Sequence, residues 1–377
     1  MFFKKILNIN NIIAIAILAG SVVWLYHSLP NGNGLKNDLY TSKIFEAKVS
    51  QIVRVEKSDT SLPHSSSTVQ TLKVEVKLPD NKAKEVTVMN DLINVSKGNN
   101  IYVKASSFGT PDESFDIVDV KRQSGMFWLA VLFAGFSIAI GGVKGFKALI
   151  GLVASIAVVF GFIMPRILAG QDAVQVSLIA SFVIVLVNIY LTDGLSKKSA
   201  IAISGIFITI IFTAWLTKFS IGHLHFTGYN GEESFYLTEE TANAVSLIGI
   251  LMAGIIISAL GILDDVAVTQ VAVVSHLAHA NPSFTKWALF KKAMSVGRDH
   301  IAAVINTLAL AYVGASLPLL LLLNFQQFSI GYTINSERIA AEIVTILIST
   351  TSLVLSVPIT TFLASMFKLM PPEHDSH

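Results

Sequence analysis

The sequence predicts an α-helical polytopic membrane bundle of about eight transmembrane helices, with a small extracytoplasmic β-barrel-like domain between the first and second. Three observations carry this. From Met126 to Phe367 the chain is a succession of apolar blocks of about 20 residues, the length a helix needs to cross hydrocarbon. Hydrophobic residues make up 53% of the 377 and charged residues only 14%, against about a quarter charged in an ordinary soluble domain. Between Pro30 and Arg122 the character reverses, with polar residues frequent and apolar residues at alternate positions, which is a strand signal.

Residues 1–29 read as an N-terminal transmembrane anchor. Lys4 and Lys5 precede an apolar run from Ile12 to Tyr26, a pattern that signal peptides share. The run continues through Val22, Val23, Trp24 and Leu25 past its small-residue stretch, Ala19-Gly20-Ser21, so an uncleaved anchor is the better reading. Residues 30–122 follow as the β-rich domain. Val74, Val76 and Leu78 alternate with Lys73, Glu75 and Lys77, and Phe45, Ala47 and Val49 alternate with Glu46 and Lys48. Shorter runs at Val86–Val88, Ile101–Val103 and Ile117–Val120 complete about five strands, separated by turn-rich breaks at Ser58 to Ser67, Pro79 to Lys82 and Lys97 to Asn100. Five short strands suit a barrel of OB-like or SH3-like size. Such a module either binds a ligand or braces the bundle, and the Ser65-Ser66-Ser67 loop reads as a flexible tip.

Residues 123–367 read as a seven-helix membrane domain, with spans near 126–143, 148–168, 173–192, 199–217, 242–263, 301–323 and 339–364, and 368–377 as a cytoplasmic tail. With the N-terminus inside, the inner loops collect Lys4, Lys5, Lys144, Lys147, Lys197, Lys198, Lys286, Lys291, Lys292, Arg298 and Lys368. The outer loops hold Arg166, Lys218 and Arg338. That asymmetry obeys the positive-inside rule and predicts both termini cytoplasmic, with residues 30–122 outside. Gly135, Gly141, Gly142, Gly151, Ser155, Gly254, Ser258 and Gly261 are small enough to let helices approach closely. Pro318 and Pro358 fall inside the last two spans, where each removes a backbone donor and either kinks a packed helix or opens backbone to a substrate.

Several function classes are excluded or disfavoured. The net charge of +2 and the lack of a basic stripe give no reason to expect nucleic acid. With no cysteine there is no disulfide and no thiol nucleophile. Phosphate loops, Ser-His-Asp order, zinc-protease and dinucleotide motifs are missing, so no catalytic residue, cofactor or metal site is assigned and an enzyme is not expected. His223 and His225 with Glu232 and Glu233 are metal-ligand types on a polar loop, a weak signal.

Charges at membrane depth are the better pointers, because an acid at the bilayer centre costs about 2.5–3.5 kcal/mol on the translocon scale. Asp264 and Asp265 come at the inner end of the 242–263 span, yet Val266 to His279 is again apolar, which points to a longer or re-entrant element. Adjacent helical residues point about 100° apart, so at most one of the two acids faces the bundle's centre. On the same side lie Asn188, Asp193, Asp299, His300 and Asn306. Such oxygens can bind a hard cation or pass a proton; the plainer reading is solvated helix ends and interhelical hydrogen bonds. Glu342, Thr345, Ser349, Ser352 and Ser356 make one polar face of the last span, either a path to the outside or a packing seam. After His276, His279 and Pro282, Ser283 caps a helix with Phe284, Trp287, Phe290, Lys286, Lys291 and Lys292, a composition that suits the headgroup region.

At Gly261-Ile-Leu-Asp-Asp-Val-Ala-Val, then Val296-Gly-Arg-Asp-His, then Asn306-Thr-Leu-Ala-Leu-Ala-Tyr-Val-Gly-Ala-Ser-Leu-Pro-Leu-Leu-Leu, the chain resembles the YibE/F family of bacterial multi-pass membrane proteins over roughly residues 125 to 365. Similar proteins carry a single Asp before a Ser-containing helix, whereas Asp264 and Asp265 are paired here and followed by Thr269-Gln270. By position the resemblance singles out Asp264, Gly297, Arg298, Asp299, Asn306, Thr307, Tyr312, Gly314 and Pro318. It implies a permease-like protein of the bacterial plasma membrane. The expectation is a secondary carrier, or its membrane subunit, coupled to an ion or proton at a polar cluster of Asp264, Asp265, Asp299, Asn306, Asn188 and Glu342. The expected partners are the lipid bilayer and that ion; the alternative is a non-transporting scaffold whose outer domain recruits a membrane or cell-surface protein.

Overall fold

A computed structural model of the chain describes residues 43–57, 68–78, 83–91, 93–106, 113–242, 244–325 and 329–367. The expected anchor at 1–29, the Ser65–Ser67 tip, Lys368 and the tail at 368–377 lie outside the described residues. The chain divides into two compact units at Ser137.

The first unit is a five-stranded antiparallel sheet of β1 (Lys43–Lys57), β2 (Thr68–Lys77), β3 (Ala83–Asn90), β4 (Asn100–Ser106) and β5 (Ser114–Val120), in the order β3-β2-β1-β4-β5. The alternation does what a period of two requires: Leu72, Val74, Val76, Ile101 and Val103 are fully buried, while Glu75 and Lys77 face out. Register shifts around Ser50 and Val53 mark bulges in β1, the long strand shared by two ladders. Bulges sharpen bend and twist, and the sheet curls. Lys84 of β3 accordingly forms an ion pair with Glu113, which directly precedes β5. A buried amide network ties down the segment after β3: Gln70 accepts from Asn90 at 3.1 Å and from the Val95 N–H at 2.9 Å.

Lys121 bonds Glu46 at 2.6 Å. That ammonium holds the Glu46 carboxyl below its ordinary value, and the carboxylate holds Lys121 above its own. The signs follow by linkage. Glu46 contributes stability above the ordinary carboxylate value and loses it as pH falls through the lowered one; Lys121 contributes below the ordinary ammonium value and loses it as pH rises through the raised one. The pair therefore acts between about 4.5 and 10.5, the ordinary values of the two groups. In an NMR titration Glu46 is expected to protonate below its ordinary value, and Lys121→Ala is expected to return it there.

The second unit is a helical bundle. Its elements begin with α1 (Gln123–Val158), a π-helical turn (Val159–Ile163) and α2 (Met164–Leu168), followed by α3 (Ala173–Asp193), α4 (Lys197–His223) and α5 (Glu232–Glu240). Then come α6 (Leu247–Ala280), α7 (Lys286–Ala315), α8 (Leu317–Phe325), α9 (Ile330–Asn335) and α10 (Glu337–Met366). Side-chain caps start the main helices: Asp172 accepts from the Gln175 N–H, Ser196 from Ser199, Ser246 from Gly249 and Thr285 from Ala288. Among the described residues, five stretches are long and apolar enough to cross a membrane: Gln123–Leu168, Ala173–Asp193, Lys197–His223, Leu247–Ala280 and Glu337–Met366. Their outer faces carry large apolar side chains such as Ile140, Trp128, Trp215 and Ile211. So much apolar surface is stable only in lipid.

Several expected boundaries move. The stretches 126–143 and 148–168 belong to one 46-residue run broken at Gly142, whose φ of 57° and ψ of −134° are not helical. There the Ser137 carbonyl closes against Gly145. Of the longer or re-entrant element expected around Asp265 the longer is found: α6, 34 residues in all, continues unbroken to Ala280. α7 begins at Lys286 with Thr285 as cap, so the aromatic and basic segment is its first turns and not a separate surface helix capped by Ser283. Helix α7 stops at Ala315, which places Pro318 in the first turn of α8, where its missing N–H has no partner to lose. The expected kink is therefore a helix break before Pro318. Pro358 does lie inside a helix, α10.

Cross-helix contacts fix direction. Gly249 meets Ala173, and Asn188 meets Asp264, both pairs 76 apart in sequence, so α3 and α6 run parallel in a constant register. Gln270 bonds the Ala293 carbonyl and Ser258 bonds Tyr312, so α7 returns antiparallel along α6. Gly205 lies against Thr360, and Thr213 bonds Ser352, so α4 is antiparallel to α10. α6 is the central element, packed by α3, α4, α7 and α10.

Candidate functional site

The central helix presents one acid inward. Asp264 is half-buried and Asp265 is exposed among the described residues, which decides between the two. Asn188 of α3 donates through Nδ2 to Asp264 Oδ2 at 3.3 Å and to Ser155 Oγ of α1 at 3.2 Å. Ser155 Oγ also lies 3.4 Å from Asn188 Oδ1 and 2.9 Å from the Gly151 carbonyl. Three helices thus supply one carboxylate, one amide and one hydroxyl. Gly151 makes this possible: a Cβ there would come within 2.8 Å of Asn188 Oδ1.

The parallel register sets the depth. Asn188 and Asp264 lie five residues before the end of α3 at Asp193, which is about 7–8 Å along a helix. From the site toward that end, Thr192 Oγ1 donates to the Asn188 carbonyl at 2.8 Å and reaches Asp193 Oδ2 at 3.2 Å. Lys144 sits 3.7 Å from Asp193.

The other expected residues do not join this group. Asp299 and Asn306 lie on exposed faces of α7, and Asp265 faces away from the bundle, among the described residues. Glu342 is half-buried on α10 and acts electrostatically on Tyr312 of α7. Tyr312 bonds Ser258 of α6, so these residues form a second polar locus. His223 Nδ1 lies 3.0 Å from the Phe219 carbonyl and its ring contacts that phenyl.

The polar face of α10 is a packing seam. Ser349, Ser352 and Ser356 are buried, and Ser352 Oγ lies 2.7 Å from Thr213 Oγ1. Sequence reading missed the matching stripe on α4: Gly205, Thr209, Thr213 and Thr217. Its signal was there in the spacing of four, one helix face of small and hydroxylic residues. Thr209, Thr213 and Thr217 each bond the carbonyl one turn earlier, which lets hydroxyls sit in a dry interface. Among the glycines expected to aid packing, only Gly151 is closely approached; Gly135, Gly141, Gly142, Gly254 and Gly261 have nothing within 4 Å of a built Cβ. Gly205 and Gly297, not among those expected, also make tight helix–helix contacts. A Cβ on Gly297 would lie 2.6 Å from Val357 Cγ1 and 3.0 Å from Gln270 Nε2.

A family profile described as "YibE/F-like protein" matches residues 129–369, the whole helical bundle with the site included. No curated protein and no solved structure matches the chain. The matched span covers well over half of the sequence and contains all three motifs on which the resemblance rested; the chain belongs to the YibE/F-like family.

Proposed function

We propose that this protein is a permease-like carrier of the bacterial plasma membrane, a secondary transporter or its membrane subunit, with Asp264 as the working acid. The observation that carries the reading is the Asp264–Asn188–Ser155 group itself. A carboxylate held between helices by neutral partners, inside an otherwise apolar layer, is expensive and is retained where an ion or proton must bind. Asp265, Asp299 and Asn306, on exposed faces, take no part in this reading.

In this reading the chain crosses the bilayer about eight times. The break at Gly142 supports counting Gln123–Leu168 as two spans, and the return of α7 along α6 supports counting α7 with α8 as another. The distribution of lysine and arginine supports cytoplasmic termini and an extracytoplasmic sheet. An OB-like barrel is supported by the strand order and by the approach of Lys84 to Glu113. No enzymatic step is assigned. A second reading, a scaffold that recruits a protein partner through the sheet, is favoured by Val53, Val55 and Met89, which are 52%, 55% and 71% exposed.

Flux separates the two. In vesicles reconstituted with the protein, an imposed pH gradient is expected to drive proton uptake above that of empty vesicles. Asp264→Asn is expected to abolish it and Asp265→Asn to leave most of it. A wild-type protein that conducts nothing favours the scaffold; undiminished flux in Asp264→Asn rejects the assigned acid.

A further inference from the structure

We infer that Asp264, Asn188 and Ser155 form a proton-binding switch in which the Asn188 amide turns over as the proton comes and goes. The inference rests on the carrier reading above and names its coupling ion.

The geometry serves both protonation states with the same heavy atoms. When Asp264 is ionised it accepts from Asn188 Nδ2, the arrangement at 3.3 Å. When a proton from solution occupies the carboxyl, the new O–H needs an acceptor. A half-turn of the amide brings Asn188 Oδ1 to that position, since the two ends of an amide are nearly isosteric and of opposite polarity. Ser155 follows without moving its oxygen. Its Oγ lies 3.2 Å from Nδ2 and 3.4 Å from Oδ1, almost equidistant, and a hydroxyl both donates and accepts. Gly151 leaves the amide room to rotate, because any β-carbon would press on it.

The surrounding charges suit a proton and not a metal. Those acting on Asp264 include Asp265 on its own helix and Asp193 on α3; α7, which also packs on α6, carries Arg298 and Asp299, both exposed, and the half-buried His300. Lys144 of α1 is spent on Asp193. A hard divalent cation takes six or more oxygens. Here three side chains supply ligands, and the group that Asn188 turns to the carboxylate is an N–H. Thr192 and Asp193 lie between the site and the end of α3, where a proton would enter.

A hydrophobic carbodiimide, which couples to protonated carboxyls shielded from water, tests this on the full chain in lipid nanodiscs, with adducts located by mass spectrometry. The expected result is an adduct on Asp264, absent from Asp264→Asn, whose yield falls tenfold per pH unit above its midpoint. Replacing choline by sodium at fixed pH is expected to change it less than twofold. Asn188→Leu removes the donor to the ionised form, so the midpoint is expected to rise by about one unit. An adduct confined to Asp265, a yield independent of pH, protection by sodium, or an unmoved midpoint in folded Asn188→Leu would each overturn the proposal. The wild-type titration and the sodium comparison need no variant to fold. Labelling reads proton occupancy and not flux: a titrating, sodium-insensitive adduct in a protein that conducts nothing keeps the switch and rejects the carrier, and flux without a titrating adduct does the reverse.

Discussion

Gly297→Val is expected to unseat α7 and to cost on the order of 4 kcal/mol, combining overpacking with a stranded amide. At Gly297 the backbone of α7 comes close to both α6 and α10: even a β-carbon would lie 2.6 Å from Val357 Cγ1 and 3.0 Å from Gln270 Nε2. Val357 cannot retreat, being fully buried in a cluster with Val266 of α6, Leu308 of α7 and Leu353. Gln270, 2% exposed, would lose the bond it donates to the Ala293 carbonyl at 3.0 Å. A buried amide without its acceptor is worse than no amide. Thermal unfolding in detergent, with hydrogen exchange followed across α7, checks this. The valine variant is expected to lose protection throughout residues 286–315, and Gly297→Ala to fall between it and wild type. Unchanged unfolding in the valine variant would mean that the three helices do not pack as described.

How much of this was legible in the sequence depends on the kind of signal. The five strands were, because alternation at Val74 and Val76 against Lys73 and Glu75 leaves one register with a buried face. Apolar blocks located the helices but not their ends. Hydropathy marks where lipid stops, whereas a helix stops where its hydrogen bonds do, and α6 runs on past Asp264 for 16 residues because nothing between Asp265 and Ala280 breaks it. The lysines ahead of Val296 looked like a loop and a surface helix for the same reason, although they are the first turns of α7.

The site was half legible. An acid in an apolar run stands out, and so Asp264, Asp265 and Asn188 were candidates. That only one of the two acids could face inward followed from the helical turn; which one depended on the rotation of α6, set by contacts such as Gln270 with Ala293 and Ser258 with Tyr312, 23 and 54 residues apart in sequence. Asp299 and Asn306 lie at a depth similar to Asp264 but sit on exposed faces of α7, a matter of rotation that depth alone does not report. The α4 stripe at Gly205, Thr209, Thr213 and Thr217 went unread because single hydroxyls in apolar helices carry little individual signal. Only the facing Ser352 gives Thr213 its meaning.

If the pair and not merely the acid is the working unit, exchanging its members should preserve function where changing either one destroys it. Asp264→Asn leaves two amides and no group that titrates. Asn188→Asp sets two carboxylates about as close as the present 3.3 Å contact, and like charges so near cannot both ionise. Each single change is expected to reduce proton flux to that of empty vesicles. The double change puts the carboxylate on α3 and the amide on α6, with the same two groups in contact, and Ser155, beside position 188, then meets the carboxylate in place of the amide. Recovery in the double variant measures coupling between the two positions in a way no single substitution does.

The decisive measurement is therefore pH-gradient-driven proton uptake by vesicles carrying Asn188→Asp together with Asp264→Asn, beside both single variants and wild type. Recovery to about a tenth of the wild-type rate or more, with both singles inactive, is the predicted result; a recovery of that size corresponds to about 1.4 kcal/mol or more of coupling for each factor of ten above the singles. A double variant no better than either single, or an Asp264→Asn protein that transports at the full rate, would contradict the account.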